Sequence, residues 1–214
     1  MRQKPLGPVG DTVHRRIQVL QRGYLDDQGW AVAALARLRR GAGRPSGEDP
    51  DLWGLIGTES LYDVYAQPGV AEEAMLRVEE AAHAAITLWS VHQQSHHISR
   101  MHRRPGPELG AAVRRLTPGA GIDEPTRRRF VRAGTATTPV VLAGRLRELV
   151  TLMRREAVPL DYGLLADQLH TWQSPGGPEA VRRSWGRSYL IVPKPVPEAQ
   201  PQAEDMNSSE DETP

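Results

Sequence analysis

The segment HQQSHHISRMHRR, residues 92–104, holds four of the chain's seven histidines and three arginines, Arg100, Arg103 and Arg104. Such a set suits a metal site, a catalytic site, or a surface that grips an anion. His92 and His96 are four apart, so on a helix both rings project from one face, as a zinc ion requires. The HExxH pattern also needs a glutamate at its second position, and here that position is Gln93. His97 points about 100° away on a helix, and His102 lies past the break that follows. A metal-dependent enzyme built on His92 and His96 is thus short of ligands. Histidines that hydrogen-bond the last carbonyls of a helix fit the pattern better. The sequence predicts neither a metal nor a cofactor.

Other catalytic constellations are missing from the sequence. Ser95 sits among the histidines, but no GxSxG elbow surrounds it. No paired carboxylates mark a pocket-forming loop, and no GxxxxGK[ST] loop cradles phosphate. The chain has no cysteine, which removes disulfides, thiolate zinc sites and a cysteine nucleophile. The expectation is a protein that is not an enzyme.

Charge separates along the chain. The 214 residues carry a net +1. Residues 193–214 contribute one lysine and six acids, a net −5, so the rest carries +6. Residues 100–155 hold thirteen arginines against four acids. A basic body with an acidic tail points to a polyanion partner. Of 27 cationic residues, 25 are arginine, whose planar fork matches phosphate. Aromatics are not interleaved with the arginines, so contact with the phosphate backbone is expected rather than base stacking.

The elements that must carry these residues read as helices. Aromatics make up 5% of the chain, so the core must come mainly from Leu, Val and Ala, of which Leu and Ala are strong helix formers. Residues 1–11 form a Gly/Pro-rich arm, expected to be disordered. Apolar spacing predicts helices over 12–27, capped by Asp11 or Thr12, and over 30–40, with Val32, Leu35 and Leu38 inward. A helix is expected over 52–65 despite two glycines. Gln67-Pro68-Gly69 is a turn, and the longest helix then runs through Met75, Leu76 and Trp89 to about His96. Short helices follow at 109–116 and after Asp123 or Glu124. A further helix starts at Thr138-Pro139, with Val141 and Leu142 among its inward residues, and ends before Pro159. The last two span 161–172 and 178–189. Trp89, Trp172 and Trp185 belong to the core. The tail after Val192 has too few apolar residues to fold. The fold class is all-α, with about eight or nine helices. No secretory h-region opens the chain and no apolar run approaches the roughly 20 residues that span a bilayer. The expectation is a cytoplasmic protein without a membrane partner.

Several stretches resemble one family. HQQS (92–95), MHR (101–103) and LGAAVRRL (109–116) are similar to the middle of the CasB family, the small subunit of the type I-E CRISPR Cascade surveillance complex. The stretch 146–190 carries the likeness further. Its Leu160-Asp161-Tyr162 turn, Trp172, and the Arg183, Trp185, Gly186, Arg187 and Tyr189 of its last helix follow the family's order. The segment RAGTATT (132–138) departs from it, and the acidic tail has no counterpart. The resemblance implies a two-lobed helical bundle, divided here into lobes 12–104 and 105–192, with a disordered tail over 193–214. It implies a non-catalytic subunit whose partners are other Cascade subunits, a second copy of itself, guide RNA, and the target and displaced DNA strands. It would stabilise the opened duplex. Expected phosphate contacts are Arg114, Arg115, Arg128, Arg129, Arg132, Arg145 and Arg147. Arg103 and Arg104 would extend that stripe, and Arg37, Arg39 and Arg40 form a second group. A helical adaptor that binds only protein is the other reading.

Overall fold

The structure is a computed structural model that describes residues 4–65, 72–117 and 123–191. The Gln67-Pro68-Gly69 turn, residues 118–121 and the acidic tail lie outside the described residues. The described residues form nine α-helices and no strand: α1 (Pro8–Leu25), α2 (Gly29–Gly41), α3 (Glu59–Tyr65), α4 (Glu72–Gln93), α5 (Leu109–Arg115), α6 (Glu124–Gly134), α7 (Pro139–Arg155), α8 (Tyr162–Trp172) and α9 (Gly177–Leu190). A short 3-10 turn spans Pro50–Leu52.

Helix α4 is the axis of the fold. From Val78 to Gln93 nearly every residue is buried, and α1, α2, α3, α7 and α8 all pack against it. A helix apolar on all sides belongs inside a bundle. Helix α5 packs on α9, α6 on α7, and α8 bridges to α1 and α9. Helices from both sides of the expected boundary at residue 104 share one buried cluster. Trp89, Trp172 and Trp185 are in it, as their spacing predicts.

Local chemistry explains where helices start and stop. Asp123, Thr138 and Asp161 cap α6, α7 and α8 by accepting the amides of Thr126, Val141 and Leu164. The first helix departs from expectation. It begins at Pro8, inside the supposed arm, and neither Asp11 nor Thr12 caps it. Its free amides are taken by Asp167 of α8: Gly7 N–H donates at 2.8 Å and Gly10 N–H at 2.7 Å. Proline at the first helical position suits such a start. The expected helix over 52–65 shortens to α3, because Gly54 (φ 72°) and Gly57 (φ 76°) adopt left-handed backbone. Helix α4 stops at Gln93 rather than His96, and Ser95 turns the chain with φ 68°. Val32 and Val141, expected inward, face solvent. Each lies on the outer flank of an apolar stripe that its neighbours already fill.

Gly110 shows packing overriding propensity. A Cβ there would lie 2.0 Å from the Trp185 carbonyl oxygen, so α5 and α9 touch backbone to backbone. Alanine is the better helix former by about 1 kcal/mol. Gly110→Ala is nonetheless expected to lower the unfolding free energy by about 1–3 kcal/mol through overpacking. Urea unfolding measures this, and a stabilised variant would refute the close contact.

Candidate nucleic-acid interface

The histidine-rich segment is a structural knot. His92, on the last turn of α4, points its Nδ1 at the Tyr162 hydroxyl, 2.9 Å away. His96 Nε2 meets the Arg154 carbonyl at 2.8 Å. The two rings therefore face different partners. Among the described residues no three His, Asp or Glu side chains gather as metal ligands. Gln93 closes the helix end: its amide donates to the His96 and Ser99 carbonyls, and its oxygen accepts from Met101 N–H. His97 stacks on Tyr24. His102 and Leu160 then pair briefly, main chain to main chain: Leu160 N–H donates to the Met101 carbonyl and Arg103 N–H to the Leu160 carbonyl.

His102 ties α1 to α8. Its main chain is bracketed by Gln21 of α1, which accepts from His102 N–H at 2.9 Å and donates to its carbonyl at 3.1 Å. Its Nδ1 accepts the Tyr162 N–H at 3.1 Å. The ring proton is therefore on Nε2, which donates to His14 Nδ1 at 2.7 Å. Tyr162 is fully enclosed, and burial raises its phenol well above the ordinary 10. The phenol keeps its proton and donates it to His92. The buried His92 Nε2 lies toward the Met153 and Val158 carbonyls, which favour its proton. Burial lowers both His92 and His102 from the ordinary 6.5 to about 3. Sequence reasoning assigned hydrogen-bonding roles to His92 and Gln93 but missed Gln21. Its signal was a polar residue four after the buried Ile17, on an otherwise apolar stripe.

Arginines divide into structural ties and exposed cations. Arg104, expected to extend the phosphate stripe, is turned inward. It meets Asp161 at 2.7 Å with side chains 9% and 3% exposed, and it also donates to the Lys4 carbonyl. A buried carboxylate needs a buried cation, so Arg104 is withdrawn from solvent. Arg103 is exposed, in an open cleft beside His14, Gln18 and Arg100. This loop bonds to α1, to the start of α8 and to the C-terminal end of α7. Arg103 thus stands apart from the other expected contacts.

The N-terminal half of α7 joins the remainder. Arg145, half-buried, donates to the Arg132 carbonyl at the end of α6. Arg147 donates to the Ala42 carbonyl just past α2, at 3.1 Å. On α6, Thr126, Phe130 and Ala133 face the core. Arg128 and Arg132, four apart, share the outward face, and Arg129 flanks it, all three exposed. Arg127 is paired with Glu124. The Asp123 carboxyl is held below its usual range by the Thr126 hydroxyl and amide, then by Arg129 and Arg128. Arg37 and Arg40 lie on the exposed side of α2 and Arg39 is half-buried. Arg40 meets Asp51 at 3.2 Å. Arg114 is half-buried and donates to the Thr117 carbonyl, while Arg115 is exposed. Arg182 of α9, which was no candidate, donates to the Gly134 carbonyl and so fastens α9 to the end of α6.

The knot gives two expectations. With both rings neutral in the fold, the unfolded chain binds more protons between about pH 3 and 6.5. Stability is then fully present above 6.5 and is lost as pH falls toward 3. Each ring gives a slope of up to about 1.4 kcal/mol per pH unit. Asp167, which burial raises, acts with the opposite sign at the acid end. Urea midpoints are expected to fall from about pH 7 to about pH 5, and to fall less steeply in His92→Gln. A flat profile would remove the neutral-ring assignment. Arg104→Ala strands Asp161 and is expected to cost about 3–5 kcal/mol by the same measurement; a cost below about 1 kcal/mol would mean that the pair behaves like a surface one.

Comparison with known proteins places this geometry. The family model for CRISPR-associated protein Cse2 matches residues 34–190. No curated protein matches the chain. The crystal structure of CasB from Thermobifida fusca is 50% identical with a TM-score of 0.79, covering 87% of this chain and 100% of that one. CasB from Thermus thermophilus matches with a TM-score of 0.58 at 23% identity, over 83% of this chain and 96% of that one, a likeness of fold. A family match over most of the chain and a half-identical structure in the same helical order agree with the resemblance read from the motifs, and the chain belongs to the CRISPR-associated Cse2, or CasB, family.

Proposed function

We propose that this protein is the non-catalytic small subunit of a type I-E Cascade complex. In this reading it works in the cytoplasm beside the other subunits and a second copy of itself. It lies along the guide RNA and the target and displaced DNA strands, touches their phosphates without reading sequence, and stabilises the opened duplex in antiviral defence. Exchange of a DNA duplex for a guide–target duplex is nearly balanced, so modest protein–backbone contacts tip it.

The observation that carries the reading is the seating of α7. Its Arg145 and Arg147 are anchored to the ends of α6 and α2. Arginines from three helices thereby adjoin one rigid element, and Arg128, Arg129 and Arg132 remain exposed. Arg114 and Arg115 end the neighbouring α5, and Arg37, Arg39 and Arg40 approach from α2. Each guanidinium has five N–H donors, so one bond to a carbonyl leaves others for phosphate. No described helix is long and apolar enough to cross a membrane.

The test is Arg128→Ala with Arg129→Ala in the reconstituted complex. Target-DNA affinity should drop, and the slope of log affinity against log salt should become shallower by about 0.7–0.9 per lost phosphate contact. Affinity should fall alike for all fully matched targets. Unchanged affinity at physiological salt would overturn the assignment of these two residues. A purely protein-binding adaptor predicts no dependence on these arginines at any ionic strength.

A further inference from the structure

A cavity of about 270 Å³ opens between the loop 46–59, α3 and α4, on a part of the molecule that none of the arginines discussed above lines. Trp53 stands at its rim, 72% exposed. Tyr62 faces it, with its hydroxyl donated to Glu79 at 2.7 Å. Asp49, Glu59 and Glu79 supply carboxylates, and no Lys or Arg is in the lining. None of the three is in an ion pair among the described residues. His83 forms part of the wall, and burial lowers its pKa, so it adds no competing positive charge.

The walls are held in place. Arg16 of α1 donates to the carbonyls of Leu55 at 2.9 Å and Gly54 at 3.2 Å, fixing the loop that presents Trp53. Glu80 accepts both the amide and the hydroxyl of Ser46, fixing the opposite side. Leu52 and Ile56 give the cavity an apolar margin beside the acids. Asp49 accepts only the Asp51 N–H and Glu79 only the Tyr62 O–H, both neutral donors, so an exposed indole stands beside carboxylates with no cationic partner: apolar surface is uncovered and negative charge is unmatched.

We propose that this cavity seats an arginine side chain borne by a neighbouring protein subunit. The indole face takes a guanidinium by cation–π stacking, the carboxylates accept its N–H groups, and the apolar margin covers its methylene stem. Charge complementarity favours such a segment over nucleic acid, which the three carboxylates repel. The proposal rests on membership of a complex only for the identity of the neighbour; the cavity itself is tested alone.

The experiment titrates the full chain with a blocked peptide, Gly-Gly-Arg-Gly-Gly, and with the same peptide carrying citrulline. The readout is the Trp53 indole N–H resonance, assigned by its loss in Trp53→Ala. Arginine peptide should shift it saturably. Citrulline peptide, and arginine peptide with Glu79→Gln, should bind about tenfold or more weaker. Glu79→Gln keeps an acceptor for Tyr62, so the fold is retained. Equal binding of the two peptides, or no shift with either, overturns the proposal. Self-association of the wild-type chain that Trp53→Ala abolishes would assign the site to a second copy and overturn it too. In the reconstituted complex, Trp53→Ala and Glu79→Gln should lower retention of this subunit. Peptide binding with unaltered retention would overturn the neighbouring-subunit assignment. The Arg128 and Arg129 test can fail without altering any of these outcomes.

Discussion

Enclosure of Tyr162 is the constraint around which the bundle is arranged. Its N–H and O–H are both out of reach of water, and each unsatisfied buried polar group costs roughly 1–3 kcal/mol. His102 takes the first and His92 the second. Those rings come from the end of α4 and from the loop after it, so α4 and α8 are fixed to each other in rotation as well as distance. Gln21 then holds the main chain of His102 on both its donor and acceptor sides, which brings in α1. A network of this kind specifies one arrangement of helices more sharply than apolar packing does, because a half-satisfied version is worse than none.

Arginine performs two tasks that look identical in a sequence. Arg16, Arg104, Arg147 and Arg182 each donate to a main-chain carbonyl of another element. They are internal ties, long enough to reach across a groove between helices that apolar side chains leave open. Arg128, Arg129 and Arg132 sit on the outer side of a helix whose inner side is filled by Thr126, Phe130 and Ala133. Charge counting over 100–155 adds the two kinds together. What separates them is burial and the direction in which a guanidinium can reach, and both depend on residues far along the chain.

Much of the helical order was legible because it is written locally. Asp123, Thr138-Pro139 and the glycines after α8 punctuate the chain within a few residues of the helix ends they set, and the period of α7 is plain. The order of motifs around Trp172, Trp185 and Tyr189 also pointed to the family that the comparisons support. The failures share a cause. The start of α1 depends on a carboxylate 157 residues away from Gly10. Arg104 was assigned to the phosphate stripe because nothing local ties it to its partner Asp161, 57 residues further on. Gln21 meets His102 across 81 positions of sequence, and no local pattern marks that pairing. The cavity beside Trp53 falls where two glycines defeated the apolar period, so its walls could not be assembled from spacing alone.

The cap on α1 has a consequence for how the molecule is made. The amides of Gly7 and Gly10 wait for Asp167, so α1 leaves the ribosome well before the residue that completes its start. At the usual pace of synthesis, about 5–20 residues per second, roughly ten seconds or more separate the two halves of that contact. During that interval the stripe of Val9, Val13 and Ile17 can be covered by α2, α3 and α4 but not by α8, on which α1 also packs. The side of α1 that meets α8 is therefore uncovered until α8 has been made, and the start of α1 is completed only when two helices far apart in the chain have met.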